Sequence, residues 1–176
     1  MARGNVKEAT GPDDAGHTAI PAVTDRDRPA IVAPPPLLYL AALAAVIALQ
    51  WLRPLPVLEH AAATWIGGAL LALGLALNLW GAWTMRRART PINPYRPVEA
   101  VVTTGAFRLS RNPLYVGLDL VLLGLALLLD SLWGIAALLV VVVVMHYGVI
   151  LPEERYLEER FGEPYRRYRA AVRRYL

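Results

Sequence analysis

The chain contains no cysteine. That removes disulfides, thiolate nucleophiles and thiolate-bound metals together. Histidine is almost as scarce: His17, His60 and His146 stand far apart, and no metal site is expected from them. Charge is thin as well. Only 18% of the 176 residues are Asp, Glu, Lys or Arg, against 56% apolar, and the mean hydropathy is +0.40. Ordinary soluble domains carry roughly a quarter charged residues, so a soluble domain is a poor fit. Also missing is the apolar core of a signal peptide. Residues 1–33 instead mix Gly, Asp, Thr, Arg and Pro with no lasting apolar period, the composition of a disordered tail. The net charge of +4 could suit nucleic acid. The basic residues stand beside apolar runs, however, so the expected partner is a lipid bilayer and not nucleic acid.

What the chain does have is four apolar blocks. Leu37 to Leu52 follows Pro34-Pro35-Pro36 and is a little short of the roughly 20 residues that span a bilayer. Ala62 to Met85 is long enough. Gly67, Gly74 and Gly81 recur along it every seven residues as a stripe for close helix contact, within the chain or between chains. Trp65, Trp80 and Trp83 flank its ends as interface anchors do. Leu114 to Leu129 and Leu132 to Leu151 are separated only by Asp130-Ser131, which predicts an antiparallel hairpin. The expectation is an all-α integral membrane protein with about four transmembrane helices. It divides into a tail (1–33), two N-terminal spans (34–89) and a C-terminal module (90–176).

Orientation follows from the basic residues. Four lie in the N-terminal tail, six in the loop after the second span and seven in the C-terminal segment; Arg53 alone faces the other way. Both termini and the long loop are therefore expected in the cytoplasm, with the protein crossing the plasma (inner) membrane several times. In the last segment Tyr156, Leu157, Phe161, Tyr165, Tyr168 and Val172 recur at helical steps, with Gly162 as an interruption. This predicts an amphipathic cytoplasmic helix lying on an anionic membrane surface.

Chemistry is expected where the hairpin brings its ends together. The stretch Thr104 to Gly117 is basic at first and then enters an apolar helix at Pro113, a residue suited to a first helical turn. Such a helix start can hold an anionic group. Glu153-Glu154 ends the fourth span on the same side. Arg111, Asn112 and Tyr115 are thus predicted to lie close to the two carboxylates, with Arg111 or Arg155 available to pair with them.

These residues carry a resemblance. Arg111-Asn112-Pro113-Leu114-Tyr115-Val116-Gly117 resembles the arginine-histidine-proline-x-tyrosine-x-glycine signature of the isoprenylcysteine carboxyl methyltransferase family of membrane enzymes. The lead-in Val101 to Phe107 and the run Glu153 to Tyr165, continued by Tyr168 and Val172-Arg173-Arg174, look like the family's flanking motifs. Phospholipid N-methyltransferases share that general architecture. The resemblance covers roughly residues 90 to 176 and implies S-adenosylmethionine as methyl donor. It implies a cofactor pocket lined by Glu99, Ala100, Val101, Val102 and Phe107, with Asn112, Pro113, Leu114 and Tyr115 on another wall. Glu153 and Glu154 would hold the cofactor's polar end, and Arg111 suits its carboxylate.

Two departures narrow what the resemblance implies. Asn112 replaces the family histidine; an amide still makes hydrogen bonds but takes up no proton at neutral pH. The family's substrate-side arginine is absent from Tyr147-Gly148-Val149-Ile150, which argues against a prenylcysteine carboxylate as acceptor. The acceptor is expected to be lipophilic or small, with oxygen, sulfur and nitrogen all open. His146 is the candidate base and Asp119 the candidate acceptor-side residue, since ionisable groups within a membrane span are functional candidates. A non-catalytic scaffold binding anionic lipid and a membrane reductase are the other readings. The reductase would lack a Gly-rich dinucleotide loop.

Overall fold

The computed structural model describes residues 29–58, 60–90 and 100–176, and of His60 only the backbone. The expected tail up to residue 28, Arg96 and the candidate cofactor residue Glu99 lie outside the described residues. Helices account for every regular element among the described residues. Helix α1 (Pro35–Leu52) begins on the proline run, where missing N–H groups leave no helical bond unmade. Helix α2 (His60–Arg87) ends on Arg86 and Arg87, cations at the negative end of the helix dipole. Helix α3 (Pro113–Leu128) starts on Pro113 after Asn112. Helix α4 (Leu132–Met145) runs through a π-turn (His146–Ile150) directly into α5 (Leu151–Phe161), and α6 (Glu163–Ala171) follows Gly162.

Three of these helices are long and apolar enough to cross a membrane: Pro35–Leu52, Ala61–Arg87 and the continuous Leu132–Phe161. The fourth, α3, has 16 residues, about 24 Å of rise against a hydrocarbon layer of about 30 Å. It is the short central helix, in contact with α1, α2 and α4. The chain is an all-α membrane protein, as its apolar blocks predict. Its hairpin turn also forms: Ser131 and Asp130 donate backbone N–H groups to Ala126 and Leu127 carbonyls at 2.9 Å.

Glycine decides how closely α2 and α3 approach. A Cβ on Gly67 would lie 2.8 Å from the Gly124 carbonyl, and one on Gly74 would lie 2.7 Å from the Gly117 carbonyl. These are backbone obstacles, so the stripe is spent on packing inside the chain. On the other side of the hairpin, Tyr39 of α1 joins Leu122, Val141, Met145 and Val149 in the buried apolar cluster.

The boundary expected at Leu151 is not a break. Pro152 has no N–H to offer the carbonyl four residues back, and its ring crowds that turn. The wider π-turn accommodates it and leaves the Gly148 carbonyl free, which accepts the Val32 N–H at 3.0 Å. Segment 29–34 is pinned there, against a glycine whose missing side chain admits Val32. The interruption expected at Gly162 divides the amphipathic segment into two helices, the chain turning there at φ +59°. Residues 172–176 are not helical.

Candidate functional site

One pocket lies at the basic end of the bundle, where the start of α3 faces the start of α5. Its two acidic residues are held differently. The Tyr115 hydroxyl donates to both Glu153 carboxylate oxygens, at 3.0 and 2.9 Å. Glu154, 7% exposed, receives a bidentate fork from Arg174, with Nε at 2.9 Å and Nη2 at 2.8 Å. Arg111 approaches the same carboxylate from the pocket side, its Nη2 3.2 Å from Oε1. The Arg111 side chain is only 8% exposed, yet its Nε and Nη1 have no partner. Buried donors left unpaired are costly and uncommon. They equip this wall to receive an anionic group.

The remaining walls come from distant parts of the chain. Met85 and Thr90 stand at the end of α2; Ala100, Val101 and Val102 follow it. The turn Gly105–Arg108 carries Phe107 into the lining and is pressed against α2, since a side chain at Gly105 (φ +57°) would collide with Thr84. Tyr168 of α6 ties that turn down by donating its hydroxyl proton to the Phe107 carbonyl at 2.7 Å. Tyr156, Tyr165 and Tyr168 are all buried over the pocket. The aromatic face expected to lie on the membrane is therefore turned inward. Burial, with Glu154 nearby, pushes the Tyr165 phenol up to about 12. It raises the Tyr168 phenol in the same direction, so both remain protonated donors at neutral pH.

Arg111, Asn112 and Tyr115 meet the two carboxylates as the hairpin predicts. Ala100, Val101, Val102, Phe107, Arg111, Asn112, Pro113, Leu114, Tyr115, Glu153 and Glu154 share this one lining. Of the two arginines expected to pair with the carboxylates, Arg111 engages Glu154 and Arg155 is exposed. Asp119 and His146 are not among the lining residues. Asp119 accepts the Tyr39 hydroxyl at 2.6 Å, and His146 Nδ1 lies 2.7 Å from the Tyr175 hydroxyl. Pro29 and Thr90 belong to the lining and were not singled out by sequence reasoning, and Arg174, read only as part of the Val172-Arg173-Arg174 motif, reaches Glu154. The tyrosine spacing signals an inward face in retrospect; nothing local to Pro29 does. Among the described residues no group of His, Asp and Glu is arranged to hold a metal ion.

Comparison with known proteins places this architecture. The cobalt-zinc-cadmium resistance protein CzcN of Cupriavidus metallidurans is 35% identical over 100 residues, 57% of this chain and 46% of that protein. An uncharacterized protein of Haemophilus influenzae is 38% identical over 63 residues, 36% of this chain and the whole of its own length. The chain thus spans less than half of the first relative. No solved structure gives a significant match. A family model described as phospholipid methyltransferase matches residues 62–164, well over half the chain and all of the pocket's α3 and α5 walls. The chain belongs to the phospholipid methyltransferase family of membrane proteins.

Proposed function

We propose that the protein transfers a methyl group from S-adenosylmethionine to a lipophilic or small acceptor at the cytoplasmic membrane face. The observation that carries this reading is the pair of unpartnered N–H groups on buried Arg111, set beside two carboxylates in one pocket. A zwitterionic amino-acid moiety fits that donor set: its carboxylate on Arg111, its ammonium toward Glu154. The apolar wall of Val101, Val102, Phe107 and Leu114 suits the rest of such a molecule.

When bound, S-adenosylmethionine supplies an electrophilic methyl on a sulfonium, open to in-line displacement. The protein's part is then orientation and exclusion of water. Tyr115 tethers the Glu153 carboxylate through its hydroxyl and contributes to the pocket lining. Tyrosine faces and carboxylates both favour a cation. Asn112 donates and accepts hydrogen bonds but takes no proton, so it positions and does not act as base. His146 and Asp119 remain the candidates for the acceptor side, behind the Tyr115 wall and within the membrane-spanning helices.

The experiment supplies methyl-labelled S-adenosylmethionine to membranes with and without the protein and identifies the labelled product. Label appearing in a lipid-extractable or small-molecule fraction only with the protein supports the reading. Absence of any protein-dependent product, with liposome binding retained, would favour a scaffold instead.

A further inference from the structure

Segment 172–176 leaves α6 at Val172 (φ −124°, ψ 134°) and lies against the pocket-lining residues Arg111, Asn112 and Glu154. Its backbone is tied to one wall: the Arg173 carbonyl accepts the Arg111 N–H at 2.9 Å, and the Arg174 carbonyl accepts Ser110 Oγ at 3.0 Å and Asn112 Nδ2 at 3.1 Å. From that wall the Arg174 guanidinium reaches over to Glu154 on the opposite one. Tyr175 adds a further tie, to His146 in the π-turn.

The consequence is an asymmetry of occupation. The anion-accepting half of the pocket has donors to spare, because two buried Arg111 N–H groups lack partners. The cation-accepting half is filled by the chain itself, both Glu154 oxygens being engaged by Arg174. Arg111 is sealed at 8% side-chain exposure, whereas the Arg174 side chain is 32% exposed and has a route outward. A planar guanidinium on a flexible stem is a good substitute for a ligand's cation. Exchanging one cation for another leaves the pocket's charge unchanged, so displacement avoids stranding a buried carboxylate.

We propose that residues 172–176 form a latch in which the Arg174 guanidinium stands in for the cationic group of the methyl donor at Glu154. The donor enters by displacing it. This rests on the methyl-donor reading of the pocket, and the test separates the two. Full-length protein in nanodiscs is compared with Arg174→Ala and Arg174→Lys by rapid-mixing binding of S-adenosylmethionine. Arg174→Ala is expected to bind tighter and associate faster, on the order of fivefold, the factor set by a part-exposed ion pair, with Arg174→Lys between it and wild type. Unchanged or weaker binding by Arg174→Ala overturns the latch. A second readout is amide hydrogen exchange. S-adenosylhomocysteine should raise exchange at residues 172–176 of the wild type, and increased protection there overturns the proposal. Should neither the wild type nor Arg174→Ala bind the donor, the methyl-donor reading fails and the latch falls with it, whereas donor binding of equal strength in both sinks the latch alone.

Discussion

Arg111 and Glu154 are each more than nine-tenths buried as side chains, a position that neither charge tolerates alone. Their pairing was legible in the sequence, because a two-residue hairpin turn leaves the start of α3 and the start of α5 nowhere else to meet. Arg174 was not legible: it is 20 residues beyond its partner, and only the reversal at Gly162 brings it back. Tyr165 is a similar case, a residue expected on the membrane surface that is 1% exposed inside the protein. Its burial has a consequence for pH. The folded state holds the phenolic proton to about 12, whereas an unfolded tyrosine releases it near 10. Stability is thus fully present below pH 10 and is lost as pH rises toward 12. Thermal melts in detergent should show a steeper alkaline fall for wild type than for Tyr165→Phe. Parallel curves would show that this phenol is not the buried group described.

At the scale of elements, glycine and proline decide the packing. The stripe on α2 was read correctly as a contact surface, but periodicity alone could not say whether the contact lay within the chain. The structure assigns it to α3. Gly68, beside the stripe, has open space where its side chain would be, while Gly74 faces backbone. Opposite outcomes are expected. Gly68→Ala should be neutral or stabilise by up to about 1 kcal/mol through helix propensity. Gly74→Ala should destabilise by about 1–3 kcal/mol as α2 and α3 are forced apart. Unfolding of the two variants in one detergent checks this directly, and equal shifts would contradict the packing. Pro152 does not break the helix, for a physical reason. A proline after an apolar run reads as a helix start, but a π-turn lets the helix continue and puts the spare Gly148 carbonyl to use on Val32.

For the whole molecule, the two ends of the bundle are built differently. At the end away from the pocket, polar side chains clip the loops together. Asp130 accepts the Val57 and Leu58 N–H groups at 2.7 and 3.2 Å, and Ser131 donates to Gln50 at 2.9 Å. At the pocket end, α2 closes on exposed Arg86 and Arg87, and α6 carries exposed Arg166, Arg167 and Arg169. The charge count that sets the proposed orientation has a clean test, because the chain has no cysteine of its own. Single cysteines at Leu58 and Arg167 should react with an impermeant thiol reagent from opposite sides of intact cells, Leu58→Cys from outside. Labelling of both from one side would contradict the four-span arrangement. The fold class, the hairpin and most of one pocket wall could be read from apolar blocks and motif spacing. The lid of tyrosines and segment 172–176 could not, since they depend on chain reversals that no local pattern encodes. The central claim is that this pocket holds S-adenosylmethionine, and calorimetry on the purified protein tests it most directly. Wild type should bind, and Glu154→Gln and Tyr115→Ala should each lose at least about tenfold in affinity, the scale of one charge-assisted contact. Binding of equal strength in wild type and both variants would contradict the account.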